Sequence, residues 1–364
     1  MKYYQKTIII VFLLLKHCLI SAQVINGVVC DEATKLPVAN VHVYLDGTSI
    51  HAITNDSGTF ELNPKSIINT NLVLSHLSYE TTIIDRPFDE LSDTLYISEL
   101  TQTLDEVTVV ADRFSRNQKM KVFREQFLGT SKAGKLCTIL NEDDISLTYN
   151  MSSHRLLAMS EKPIVVVNDF LGYQVSFILM DFFVQFSLNR VSLNSTYITD
   201  SFFAVVSSFT DLTPENSRNL QRRDNAYDYS CNNFFKSFAN NSLDDSGFVI
   251  LNKMLPIDHQ QYFAMKDTMS LKMISIIPDT DIEKETVVHS GSSIYSVSDL
   301  TGIISVLFSK NIRSDIFFRT DSFLVDKYGN IDQFDKVSFT GKFGENRAGD
   351  MLPIDYEPTS VVLK

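Results

Sequence analysis

The sequence predicts a mainly β chain, with a small N-terminal β-sandwich followed by a larger β-rich α+β domain that carries a few short helices. Three observations predict it. Short strand-like runs separated by turn residues recur from Val24 to Ile97, and no helix-length amphipathic pattern occurs before Asp112. Phe (26) and Tyr (14) are abundant while Trp is absent, a composition that suits pleated, half-buried surfaces. In "GYQVSFILMDFFVQFSL", Ile178, Met180, Phe182, Val184, Phe186 and Leu188 alternate with a more polar set, the period of a strand. The 364 residues are 44% hydrophobic and 21% charged, enough apolar material for a sizeable core and a length that suggests two domains rather than a disordered chain.

The first 22 residues read as a secretory signal peptide. Lys2 and Lys6 form a basic start, Thr7 to Leu15 is a short apolar run, and Ser21-Ala22 supplies small residues for cleavage. Lys16 and His17 stop the apolar run well short of the ~20 residues that a bilayer span needs. The same two residues argue against lipidation at Cys18. Cleavage removes three lysines and no acid, so a chain whose net charge is already -12 becomes more acidic. Such a chain repels phosphate backbones, and nucleic acid is a poor partner. Of four cysteines, Cys30, Cys137 and Cys231 remain. An oxidising compartment permits one disulfide and one free thiol, and three buried thiols fit equally.

Residues 23–100 are expected to form the sandwich. "CDEATKLPVA" is a loop closed by Pro37, and "NVHVYL" places Val41, Val43 and Leu45 on one face. "TNDSGTF" reads as a hairpin turn through Asn55, Asp56 and Gly58. "NLVLSHLSYETTIID" and "DTLYISE" add strands. The set "GVVCDEATKLPVANVHVYLDGT", "AITNDSGTFEL" and "LSHLSYETTII" resembles the carboxypeptidase-like regulatory domain, a transthyretin-like sandwich. That resemblance implies a non-catalytic module found at the N-termini of secreted proteins of Bacteroidetes-type bacteria, TonB-dependent transporters among them. "TLDEVTVVADR" then looks like the strand that follows such modules in those transporters. Too little chain remains for a large membrane barrel, and no train of ten-residue amphipathic strands occurs.

Residues 101–128 read as a linker strand, Thr103 to Ala111, and a short connecting helix in "DRFSRNQKMKVFREQF". Residues 129–364 are expected to form the β-rich α+β domain. "EKPIVVVND" reads as a buried strand. "DLTPENSRNLQRRDNAYDY" reads as a helix with Thr213 as N-cap and Pro214 at its first position. "CNNFFKSFANNSL" is a second short helix, and "DSFLVDKYGNIDQFDKVSFTGKFG" reads as a hairpin turning at Gly329-Asn330. This region resembles the C-terminal part of a group of bacterial envelope proteins named after the same regulatory domain, through "FLGTSKAGKLCTILNEDDISLTY", "RRDNAYDYSCNNFFKSF" and "GENRAGDMLPIDYEP". The chain departs from that group at Tyr229-Ser230-Cys231 and at Phe343. The group supplies no activity to carry over.

Catalytic patterns are incomplete. "GTSKAGKL" has Leu136 where a phosphate-binding loop needs a hydroxyl for Mg²⁺. The histidines, among them His42, His51, His76, His154, His259 and His289, show no zinc-ligand spacing. "HSGSSIYS" lacks the second glycine of a nucleophile elbow, and Cys137 or Cys231 with His154 makes only a poor nucleophile pair. "PDTDIEKE" spaces Asp279, Asp281, Glu283 and Glu285 two apart, which would align them on a strand as a weak calcium site or, more simply, leave them solvated. The remaining cluster is Arg222, Arg223, Arg347, Asp350 and Asp355, in which an arginine of the helix would fork onto an aspartate of the tail as a structural ion pair. "GENRAGDMLPIDYEP" itself is expected as the closing strand, bracketed by Pro353 and Pro358.

These readings predict a non-enzymatic, exported protein of a Gram-negative cell envelope, periplasmic or associated with the outer membrane. It would need no cofactor and would bind or scaffold an envelope protein or a glycan. The rival readings are a hydrolase with a non-standard site in the C-terminal domain and an accessory of a TonB-dependent uptake system.

Overall fold

The computed structural model describes residues 24–100 and 113–359, apart from positions 90, 269, 279, 285, 291, 292, 298, 299, 334 and 335. For 286–290 and 293–297 it describes the backbone only. The expected signal segment and the run Thr103–Ala111 lie outside the described residues, as do Asp279 and Glu285.

The N-terminal sandwich packs two sheets. In the first, β1 (Ile25–Asp31) lies between β4 (Thr59–Leu62), antiparallel, and β7 (Thr94–Ile97), parallel. The second runs β3 (His51–Ile53), β2 (His42–Leu45), β5 (Leu72–His76), β6 (Tyr79–Ile84). Val29, Val43, Leu45, Phe60, Leu72 and Leu74 fill the space between. The "TNDSGTF" segment is a turn, with Asn55 Oδ1 accepting from the Ser57 and Thr59 amides, yet it is no hairpin. It hands the chain from β3 in one sheet to β4 in the other, because Phe60 and Leu62 are buried when β4 pairs with β1.

Beyond position 113 the chain holds two large apolar cores. The expected connecting helix, α1 (Arg116–Phe127), belongs to the first. Ser115 and Gln118 cap its start reciprocally, and Met120, Phe123 and Phe127 project from one face into that core. A short helix, α2 (Lys132–Lys135), stands where the "GTSKAGKL" loop was expected. The rest of this unit is one six-stranded sheet, made of β8 (Cys137–Ile139), β9 (Ile145–Asn150), β10 (Arg155–Ser160), β11 (Ile164–Asn168), β12 (Tyr173–Phe186) and β13 (Ile198–Asp211). The long β12 pairs β11 along its first half and β10 along its second half on one edge, and β13 along the other edge. In β11, buried and half-buried residues alternate, so only one face is fully covered.

The alternation read in β12 is broken at its middle. The pairing with β13 slips between Leu179 and Asp181, leaving Met180 as a bulge. The buried set is therefore Tyr173, Val175 and Phe177 before it and Phe182, Val184 and Phe186 after it. One inserted residue shifts the parity, and both halves keep their apolar side on α1. Ile178 and Met180, which the unbroken pattern grouped with the later core residues, fall on or near the other face.

The last unit begins with α3 (Ser217–Asp228) and α4 (Cys231–Ala239). Asn216, not Thr213, caps α3, accepting from the Arg218 and Asn219 amides, because Thr213 Oγ1 is taken up by Asn219 Nδ2. A five-stranded sheet runs β15 (Leu255–Pro256), β14 (Phe248–Asn252), β20 (Gly302–Phe308), β21 (Ile312–Phe318), β23 (Val337–Gly341). A three-stranded sheet runs β16 (Phe263–Thr268), β17 (Leu271–Ile276), β22 (Ser322–Val325), and β18 (Thr286–Ser290) pairs β19 (Ser293–Val297). The phenylalanines of α4, Phe234, Phe235 and Phe238, lie between the sheets. A last short helix, α5 (Lys342–Glu345), follows β23. The expected hairpin around Gly329-Asn330 is cut to one antiparallel bridge, Val325 to Ile331, since β22 pairs β17 and β23 pairs β21 beyond it. The Asp326 carboxylate instead gathers the Tyr328 and Asn330 amides into a tight turn, which docks on α4 through Asn232 and Asn330.

Candidate functional site: an uncovered face of the central sheet

The five predicted polar residues do not form one cluster. Arg223 is 1% exposed and donates to Asp211 at the end of β13, with both carboxylate contacts at 2.7 Å. Its remaining donors reach the Leu171 and Gly172 carbonyls, and its guanidinium lies 3.9 Å from the Tyr173 ring centre. Arg222 donates to the Phe170 carbonyl and stacks on the Phe170 ring. The expected fork from helix to tail is thus replaced by a fork from α3 to the strand that precedes it.

The tail is also not a strand. Arg347 and Asp350 close a 3₁₀ turn at Ala348–Asp350, and an extended run without ladder partners follows. The reason is that its hydrogen bonds go to three different units. Arg347 reaches Ser201 on β13, and Asn168 at the end of β11 donates to the Gly349 carbonyl. The Ile354 amide donates to Gly47 of the sandwich, and Asp355 accepts from the Ser49 amide and hydroxyl at 3.0 and 2.8 Å. Tyr356 and Thr359 then donate to Asp224 on α3. These contacts satisfy the tail's charges locally and leave no convergent acid, base and nucleophile among them.

Other candidate groups are equally engaged. Cys30, Cys137 and Cys231 are free thiols, and burial pushes the Cys137 thiol up to about 12 and the Cys231 thiol further still. His42 and His51 are cross-strand neighbours, and burial followed by His51 pulls His42 down to about 4. Of the acids of "PDTDIEKE" that are described, Asp281 is held by Tyr262 and Lys253, and Glu283 forms a single backbone bridge to Ile303. No group of three metal-ligating side chains occurs among the described residues. Two open cavities of about 330 and 560 Å³ adjoin at Asn241 and Gln260. There the Asn241 carbonyl oxygen accepts from Gln260 and from the His259 ring at 2.8 Å, and burial lowers the His259 pKa. This fixes the imidazole against an amide rather than against a nucleophile.

The feature that stands out is the outer face of the central sheet. Over its first half the N-terminal sandwich sits directly on it. Tyr44 of β2 and Val73 of β5 pack against Ile178 of β12 and Val206 of β13. The Asp46-Gly47-Thr48 turn closes the open edge of β13: Gly47 donates to the Ser207 carbonyl, the Phe209 amide donates to Thr48, and Asp46 accepts from the Ser207 amide at 2.7 Å. Asp46 is consequently raised to about 6 by burial, against the opposing pull of the Ser207 and Gly47 amides.

A single module therefore supplies both the turn that caps the strand edge and the apolar surface that covers the sheet. Residues 25–109 match the CarboxypepD_reg-like domain. No curated protein matches the chain. In this chain the CarboxypepD_reg-like domain is a docked cover, not a separate bead on a linker.

Past the Met180 bulge the same face is uncovered. The register places Leu157, Phe183 and Phe202 side by side across β10, β12 and β13. Leu157 is 37% exposed, Phe202 47%, Met180 55% and Met159 73%. Phe183 and Phe202 stack at 5.7 Å, and Arg155 lies over the Phe183 ring at 4.3 Å. Sequence reading missed this row because it placed Phe182 and Phe186 correctly but had no signal for the bulge that turns Met180 and Phe183 outward. The "LMDFF" run, with no polar partner for Phe183, was the available hint.

Proposed function

We propose that the protein is a non-enzymatic binding and scaffolding protein of the cell envelope, whose working surface is the uncovered half of the central sheet. The observation that carries the reading is the exposed set Leu157, Phe202, Met159 and Met180 around a half-buried Phe183, on a sheet whose other half is covered by a docked domain. Contiguous apolar exposure of this kind marks interaction surfaces. The export reading rests on the basic, apolar and small-residue pattern of the first 22 residues. No described helix is long and apolar enough to cross a membrane.

A photo-crosslinking residue placed at Phe202 in cells tests the proposal, with Leu77, an 80% exposed residue of the sandwich, as the control position. Discrete adducts are expected at position 202 and none at 77. Loss of adducts at 202, or equal labelling at both, would overturn the reading.

A further inference from the structure

We propose that His42 and His51 form a two-histidine site for one borderline transition-metal cation, of the zinc, nickel or copper(II) class, on the outer face of the N-terminal sandwich. The site lies on β2 and β3, apart from the sheet face invoked above, and does not depend on it.

Strand pairing builds it. The two histidines stand nine residues apart with no ligand motif between them, so their spacing along the chain signals nothing. The antiparallel register sets His42 against Ile53 and Tyr44 against His51. His42, Tyr44, His51 and Ile53 therefore share one face, opposite to Val43, which enters the sandwich core. On that face His42 and His51 are diagonal neighbours, a relationship in which aromatic side chains of adjacent strands still reach each other. Their ring centres are 5.4 Å apart, with the planes at 72°.

That separation fits a shared ion. An imidazole nitrogen binds zinc at about 2.0–2.1 Å, which places the ring centre about 3.2 Å from the metal, so two such rings at a tetrahedral angle have centres about 5.2 Å apart. The observed 5.4 Å needs only a small side-chain adjustment.

Both rings are free to act as ligands. His76, His154 and His259 each set a ring nitrogen against a backbone or amide group. The contacts described for His42 and His51 are ring contacts, with each other and with Tyr44. Ligation takes the neutral imidazole, and burial followed by His51 lowers His42 to about 4, which keeps it neutral near pH ~7. Two imidazoles select a borderline ion over Ca²⁺ or Mg²⁺, which prefer oxygen. No third His, Cys, Asp or Glu joins the pair among the described residues, and His51 is exposed. The site is therefore open, with water completing the coordination, rather than a closed structural centre.

The fold gives such an ion a task. β3 is the three-residue edge strand of its sheet and pairs with β2 alone. A bridge from His51 to His42 would pin β3, and with it the turn that hands the chain to β4.

Isothermal titration of the purified, untagged chain with zinc chloride tests the site. His42→Gln and His51→Gln are the site variants, and His76→Gln and His259→Gln are the controls. One zinc ion per chain is expected, with a dissociation constant in the micromolar range that excess magnesium leaves unchanged. Loss of an outer-shell partner alone costs about 10–100-fold in metal affinity, so loss of either ligand should weaken zinc binding at least about tenfold. The controls should bind as the original does. Equal circular dichroism and melting temperature in metal-free buffer show that the variants fold. Zinc should also slow hydrogen exchange across β2 and β3 of the unmodified chain, a measurement that needs no variant. Absence of zinc binding, undiminished binding in either folded site variant, an equal loss in the controls, displacement of zinc by magnesium, or exchange protection confined to other strands overturns the inference.

Discussion

The Arg223 guanidinium and the Asp211 carboxylate form a two-pronged ion pair that ties helix α3 to the end of the longest strand pair in the molecule. Arg223 is fully enclosed and spends its other donors on the Leu171 and Gly172 carbonyls, while the Asp211 side chain keeps 31% exposure. The hydrogen bonds from all three guanidinium nitrogens of Arg223 therefore serve one junction, at which β11, β12, β13 and α3 meet.

Arg223→Lys should lower stability by roughly 2 kcal/mol, and Asp211→Ala by about 3 kcal/mol, since the latter leaves a buried cation without its partner. Guanidinium unfolding midpoints at unchanged slope would check this. Burial raises the Asp211 pKa, but Arg223 and the Thr213 amide outweigh it and hold the carboxyl below its ordinary value. A lowered carboxylate contributes stability above its unfolded pKa and loses it as pH falls through the folded one. The gap between wild type and Asp211→Ala should therefore close in strong acid.

Asp46 carries the opposite sign. Its folded pKa, about 6, lies above the unfolded value, so the ionised form is disfavoured where the sandwich meets β13. That contribution is fully present below the unfolded pKa and is lost as pH rises through about 6. Asp46→Asn keeps an acceptor for the Ser207 amide and cannot ionise. The variant should melt higher than wild type at pH ~8, with the difference shrinking at pH ~5. Scanning calorimetry at the two pH values decides it, and a constant difference would count against the assignment.

The tail clasp predicts coupled losses. Tyr356→Phe removes one hydrogen bond to Asp224 and should cost about 1 kcal/mol. Asp224→Ala also strands the Thr359 donors and should cost more. In a double-mutant cycle the two should be less than additive by roughly the value of the shared bond. Additivity would mean that the tail is held elsewhere.

Gly172 sits at φ +75°, and a Cβ there would lie 1.9 Å from Thr213 Oγ1 and 2.4 Å from Asn219 Nδ2. Gly172→Ala should cost on the order of 3 kcal/mol, from backbone strain and the displaced Thr213–Asn219 contact that orders the start of α3. Thr213→Ala in the same background opens that space and should recover part of the loss, measured by thermal unfolding.

By itself the sequence determined the local structure. The β-rich class, the sandwich with its buried Val43, Leu45 and Leu74, helix α1 and the two helices after β13 follow from periodicity and turn chemistry, which act over a few residues. The CarboxypepD_reg-like segment was legible for the same reason, since its turns and strands follow one another along the chain. Tertiary structure decided what meets what. "TNDSGTF" has hairpin residues, yet its two strands enter different sheets because β3 pairs back with its neighbour β2 while β4 joins the more distant β1. Gly329-Asn330 turns the chain equally well and keeps the Val325–Ile331 bridge, but pairing with β17 and β21 draws β22 and β23 into different sheets. Arg223 had two carboxylate-bearing segments within the pattern, and the close approach of β13 rather than the tail chose Asp211. The outward row of Leu157, Phe183 and Phe202 depends on one bulged residue, Met180, which lies where β12 changes partners from β11 to β10. A parity change of one residue is invisible in composition, and it decides which aromatic side chains the molecule buries and which it presents.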